Sequence, residues 1–173
     1  MPIDTDSVSS ALVSAAVDQS ANIDRILVGD GAIQAIPKLL SSHFDDRPAF
    51  LVADENTMAV AGARVRDLLE SAGRSVELHC YPSSGLLKPS VENAAAIEDG
   101  IGGRNMVPIA IGAGVINDLV KYAAYRKGLP FMSVATAASM DGYASGGAPL
   151  SKNGFKHTIA CAPPRVIVAD SHI

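Results

Sequence analysis

"IGAGVINDLVKYAAYRKG", Ile111–Gly128, is the stretch whose reading decides the fold. Two glycines, Gly112 and Gly114, stand between an apolar run and a segment with helical spacing. Bare backbone at a helix start has two uses. It makes a tight turn, or it lets an anionic group approach the free N–H groups at the positive end of the helix dipole. The flanking sequence has to separate the two.

Before the glycines runs "VPIAIG" (107–112), apolar throughout, and after them "VINDLVKYAAYRKG" (115–128) reads as a helix. A further apolar strand, "LPFMSVAT" (129–136), follows. The same alternation extends towards the N-terminus. "RILVGD" (25–30), "AFLVAD" (49–54) and "SVELHCY" (75–81) read as strands. "GAIQAIPKLLSSH" (31–43), "NTMAVAGARVRDLLESAG" (56–73) and "SVENAAAIEDGI" (90–101) read as helices, the second closed by Gly73. Short strands that are apolar on both faces and alternate with helices predict an α/β fold: a Rossmann-like parallel sheet flanked by helices. Past Thr136 the rhythm breaks. Asn153-Gly154 suits the positive φ angles of a two-residue turn and predicts a small antiparallel hairpin. "RVIVAD" (165–170) is a last strand. Residues 1–20, rich in Ser and Ala, read either as a short helix over Ser9–Val17 or as a loosely attached segment, and residues 21–173 read as one domain. The sequence stops at "SHI" with no helix after its last strand, which reads as a domain boundary within a longer design.

Composition narrows the function classes. A chain of 173 residues with 48% apolar and 18% charged residues has the make-up of a folded domain, able to bury about 70% of its unfolded surface. The net charge of −4 argues against a nucleic-acid or anionic-membrane surface, though not against a small anionic ligand. Two cysteines, Cys80 and Cys161, and no CxxC make a disulfide framework or zinc knuckle a poor fit; a reducing cytoplasm is the simple reading. Both are expected as buried thiols. No apolar run nears a membrane span, and "MPIDTDSVSS" lacks the features of a signal peptide.

In open α/β sheets, ligands bind beyond the carboxyl ends of the strands. Three such ends carry polar or glycine-rich chemistry: Asp54, the Gly112-Ala113-Gly114 turn, and "ATAASMDGYAS" (135–145). Asp54 suits ribose hydroxyls, or it merely caps the next helix; both readings stay open. The turn lacks the third glycine of G-x-G-x-x-G, so by itself it is equally a plain turn. Asp118 reads alone as a first-turn acid, with Lys121 pairing to it along the helix for a few tenths of a kcal/mol. Lys152, Lys156 and His157 read as a solvated hairpin face, and His172 as a solvated terminal histidine.

Taken together, "ADENT" (53–57), "GAGVINDLVKYAA" (112–124), "SVATAASMDGYASGGAPL" (133–150) and "APPRVIVAD" (162–170) resemble the sn-glycerol-1-phosphate dehydrogenase family. That family stands with glycerol dehydrogenases, iron-type alcohol dehydrogenases and dehydroquinate synthases. The likeness runs from about Asp24 to Asp170, and "TAASMDGYAS" is its most specific part. It implies NAD- or NADP-dependent reduction of dihydroxyacetone phosphate to sn-glycerol 1-phosphate, as a step of phospholipid metabolism. It implies Asp54 at the adenosine ribose, and Gly114, Val115, Ile116, Asn117 and Asp118 around the pyrophosphate. Thr136, Ala137, Ala138 and Ser139 would hold the nicotinamide side, Asp141 would face a small phosphorylated triose substrate, and Ser145 would again touch cofactor.

Ala113 departs from the pattern, since the family often carries a smaller glycine or a serine in the middle of the turn. The larger departure is that the family's divalent metal, zinc or nickel, is held by an Asp and two His of a C-terminal helical domain, which the resemblance places beyond Ile173. Residues 21–173 would then be the cofactor-binding half, without catalytic or metal residues of their own. A dehydroquinate-synthase-like cyclase domain and a non-catalytic dinucleotide-binding module remain as alternatives. NAD against NADP, and a homo-oligomer against a monomer, stay open.

Overall fold

The computed structural model describes residues 5–173, with side chains described from Ala11 onward; the first four residues of the 1–20 segment lie outside the described residues. The chain opens with helix α1 (Thr5–Asp18), longer at both ends than the Ser9–Val17 expectation. The strands are β1 (Arg25–Gly29), β2 (Ala49–Asp54), β3 (Val76–Tyr81), β4 (Val107–Gly112), β5 (Met132–Ala135) and β8 (Val166–Asp170), and they form one parallel sheet in the order β1-β8-β5-β4-β2-β3. The hairpin is β6 (Gly147–Lys152) and β7 (Phe155–Ala160), a separate two-stranded antiparallel sheet. Asn153 and Gly154 turn it with φ of 52° and 80°, the two positive angles the dipeptide was read to supply.

Alternation along the strands builds two cores. On β2, Leu51 and Ala53 point to one face of the sheet, and Phe50 and Val52 to the other. The first face is covered by α2 (Ile36–Phe44) and α4 (Ala63–Ser71), through Ile36, Leu40, Phe44, Val65 and Leu69. The second is covered by α5 (Val91–Ile101), α6 (Gly114–Lys127) and the hairpin, through Ile97, Ile101, Leu119, Val120, Ala148 and Leu150. β4 is buried along its whole length, which is why it is apolar at every position.

Helix ends follow local chemistry. Ser90 caps α5 by accepting from the Asn93 N–H at 3.2 Å. At the end of α4, Gly73 adopts φ 78°; its N–H donates to Glu70 O and the Arg74 N–H donates to Leu69 O, satisfying the last carbonyls. The segment read as one helix over 56–73 is a short helical turn, α3 (Glu55–Thr57), then a π-helical stretch Met58–Gly62, then α4. Helix 31–43 likewise starts as a 3-10 turn, Ala32–Ala35, before α2. β5 is shorter than the 129–136 expectation.

Two connections leave the middle of the sheet in opposite directions. From β2 the chain crosses through α4 to β3; from β4 it crosses through α6, on the other face, to β5. The point where the winding reverses lies between β2 and β4. Two residues past their last paired positions, Val52 and Ala110, come Asp54 and Gly112.

Candidate functional site

The carboxyl ends of β2, β4 and β5 meet at this reversal, the place where open α/β sheets leave a crevice. At the end of β4, Ala113 is extended (φ −91°, ψ −156°) and precedes the first residue of α6, with no side-chain cap. The first-turn N–H groups of α6 therefore have no side-chain acceptor, and the helix dipole adds positive potential there.

The two glycines of the turn have different reasons to be glycine. A Cβ on Gly112 would lie 2.6 Å from Ile116 Cβ, so packing within the protein excludes it. A Cβ on Gly114 would lie 3.5 Å from Met140 Cγ, an ordinary contact. The fold accepts a side chain at 114, so the protein's own packing does not account for this glycine.

The loop after β5 folds back over this turn. The Thr136 N–H donates to Gly112 O at 3.4 Å. The Tyr143 hydroxyl lies 3.2 Å from Gly112 O and 3.3 Å from both the N and the O of Ala137, tying the turn to the loop. Burial holds the Tyr143 phenol above its ordinary range, so it serves as a neutral donor. Asp141 is exposed at the start of the 3-10 turn Gly142–Ala144, and Ser145 is exposed just after it. Ala138 and Ser139 are exposed, while Thr136 and Ala137 are half-buried.

The remaining residues of the sequence reading are placed as follows. Asp54 and Thr57 form a reciprocal capping box: Thr57 N–H donates to Asp54 Oδ1 at 2.8 Å and Asp54 N–H donates to Thr57 Oγ1 at 3.0 Å. Among the described residues, Asp54 Oδ2 has no donor, so capping and ligand contact are compatible. Gly114 and Val115 are half-buried at the turn, whereas the Ile116 and Asn117 side chains are buried beneath it. Asn117 Oδ1 accepts from Ser133 Oγ at 3.0 Å, and its Nδ2 meets no partner among the described residues. The Asn117 N–H donates to Ala113 O at 3.0 Å, so of these two residues only Ile116 keeps a backbone N–H for a ligand, and both side chains lie beneath the turn.

Asp118 and Lys121 are 3.6 Å apart, as their spacing predicts, but the surface pair expected there is absent: Lys121 is fully buried. Its ammonium donates to Gly142 O (3.2 Å), Ser145 Oγ (3.0 Å) and Gly147 O (3.1 Å). Burial lowers the Lys121 pKa and raises that of Asp118, each partly offset by the other's charge. Tyr143 and Lys121 are the site residues that sequence reasoning missed. The only signal was the i, i+3 spacing of Asp118 and Lys121, which reads the same on an exposed helix face.

Elsewhere, Cys80 is exposed on the edge strand β3 and Cys161, just past the end of β7, is half-buried, so the expectation of two buried thiols is corrected for both. An edge strand is covered on fewer sides than the central strands from which the expectation came. Lys152, Lys156 and His157 are exposed on the hairpin. His172 is 70% exposed beside Asp30. Among the described residues, no three His, Cys, Asp or Glu side chains come together to hold a metal ion, and no helix is long and apolar enough to cross a membrane.

Three strand ends meeting at the switch point, an uncapped helix start and an unobstructed Gly114 define an open, doubly wound α/β protein. The pattern of the iron-containing alcohol dehydrogenases matches residues 27–173, and the chain belongs to that family. It is 34% identical over 156 residues to a glycerol-1-phosphate dehydrogenase [NAD(P)+] of Bacillus licheniformis, covering 89% of this chain and 39% of that protein. It is 36% identical over 150 residues to the protein of the same name from Methanosarcina barkeri, covering 86% of this chain and 40% of the relative. Its fold superimposes on a glycerol dehydrogenase of Schizosaccharomyces pombe with a TM-score of 0.70 at 20% identity, over 86% of this chain and 37% of that one. The chain spans about two fifths of the length of these curated relatives.

Proposed function

We propose that residues 21–173 are the dinucleotide-binding half of an NAD(P)-dependent oxidoreductase that interconverts dihydroxyacetone phosphate and sn-glycerol 1-phosphate. The observation that carries this reading is the start of α6: uncapped N–H groups behind a glycine that the protein's own packing does not require. The names of the relatives supply the substrate.

In this reading the pyrophosphate takes the N–H groups of Gly114, Val115 and Ile116, the Asn117 N–H being held in the helix by Ala113 O, and the helix dipole favours its charge. Asp54 accepts from the ribose hydroxyls through the oxygen that its cap leaves free, and its charge favours NAD over the 2′-phosphate of NADP. Thr136, Ala137, Ala138 and Ser139 border the nicotinamide, Ser145 bonds it, and Asp141 faces the triose phosphate. When bound, the nicotinamide supplies the hydride. The protein's part is to hold and orient it.

The residues described here do not fit a metal site, so a divalent cation such as zinc or nickel is not assigned to them. Calorimetric titration of the 173-residue chain with NADH tests the proposal. Saturable binding at one site is expected. Absence of saturable heat up to millimolar NADH would overturn it.

A further inference from the structure

We propose that Lys121 is a positioning residue of the cofactor site: its buried ammonium pins residues 142–147 so that Ser145 presents a hydrogen-bond acceptor to the nicotinamide carboxamide. The inference rests on the dinucleotide reading above. It concerns how the loop is held and which polarity it offers.

The geometry is fully spent. An ammonium carries three protons, and Gly142 O, Ser145 Oγ and Gly147 O take all three at 3.0–3.2 Å. Asp118 Oδ1, at 3.6 Å, supplies the counter-charge. A buried ammonium is an expensive way to fill space, since an apolar side chain would fill it without desolvating a charge. What the ammonium does that no apolar side chain can do is gather two carbonyls and a hydroxyl from an otherwise irregular loop.

The consequence falls on Ser145. Its hydroxyl has one proton, and that proton has an internal acceptor, Gly142 O at 2.9 Å or Gly147 O at 3.2 Å. Lys121 occupies one of its two lone pairs. The side that remains, on an exposed residue, can only accept. Phosphate and carboxylate have no proton to give it. A primary amide does, and the carboxamide is the amide of a nicotinamide dinucleotide.

The test compares NADH with ADP-ribose, which lacks the nicotinamide ring, by calorimetric titration of the 173-residue chain. The parent is expected to bind NADH at least tenfold more tightly than ADP-ribose. In Lys121→Met, ADP-ribose affinity should stay within twofold of the parent, while NADH falls about tenfold, to the ADP-ribose level. Ser145→Ala, at an exposed position, should reproduce the selective loss and decides the matter if Lys121→Met does not fold. Equal weakening of both ligands would make Lys121 a support of the fold alone and overturn the inference. An undiminished preference for NADH in Ser145→Ala would overturn it too. A parent that binds both ligands equally well would refute the inference and leave the dinucleotide reading standing; a parent that binds neither would refute both.

Discussion

At the residue scale, Gly112 and Gly114 look alike in the sequence and differ in the folded chain. Ile116 comes back over Gly112 because the turn is tight, and a methyl there would overlap its side chain. We expect Gly112→Ala to cost about 1–3 kcal/mol through overpacking and to lower Tm by several degrees. Gly114→Ala should leave Tm nearly unchanged. Equal Tm values for the two variants in differential scanning calorimetry would contradict this division. Asp54 shows the same limit of legibility: capping and ribose contact compete on paper, but a carboxylate has two oxygens and Thr57 uses one. Asp54→Ala should cost about 1 kcal/mol of stability from the cap. It should also narrow the gap between NADH and NADPH affinity; a preference that stays the same in competitive titration would separate Asp54 from the ribose.

At the scale of elements, the end of β8 carries a device of its own. The buried Asp170 carboxylate accepts from the N–H groups of Gly31 (3.3 Å) and Ile33 (3.1 Å), and of His172 (3.1 Å), joining the turn after β1 to the last strand. Burial pushes its pKa up, but the three N–H donors and the nearby His172 outweigh burial and hold it below the ordinary carboxylate range. A carboxyl depressed on folding stabilises fully above its unfolded pKa of about 3.9 and loses that contribution as pH falls through the folded value. Below about pH 4, Tm of the parent should therefore fall more steeply with acid than Tm of Asp170→Asn; parallel slopes would count against the assignment. Legibility at this scale follows local chemistry. The Asn153-Gly154 hairpin was readable because two positive φ angles leave few residue choices. The π-helical Met58–Gly62 was not, because one extra residue in a helix barely disturbs a hydrophobic period. The burial of Lys121 depends on residues 142–147, more than twenty positions away, and helical spacing cannot report them.

At the scale of the molecule, alternation of apolar strands with helices was enough to predict the parallel, two-sided sheet. The order β1-β8-β5-β4-β2-β3 was not derivable from it, because strand order depends on long-range pairing. That order puts Asp54 and the Gly112–Gly114 turn on either side of the reversal and brings three strand ends together. Reduction of a ketone needs stabilisation of the developing oxyanion as well as a hydride donor. The described residues supply no metal-ligating cluster for it. The 173-residue chain is thus expected to bind NADH without consuming it when dihydroxyacetone phosphate and zinc or nickel are added. Steady, metal-dependent loss of reduced nicotinamide absorbance, abolished in Asp141→Asn, would mean that these residues hold a complete site.

The central claim is that the start of α6 is the seat of a dinucleotide, and the most direct measurement is NADH titration of Gly114→Val against the parent. The backbone at 114 is not in the left-handed region, and a Cβ meets only Met140 at contact distance, so the variant should fold with a parental Tm. Its branched side chain would stand where the pyrophosphate must approach. The account predicts NADH binding weaker by tenfold or more, about 1.4 kcal/mol at the least. Equal NADH affinity in a folded Gly114→Val and in the parent would contradict it.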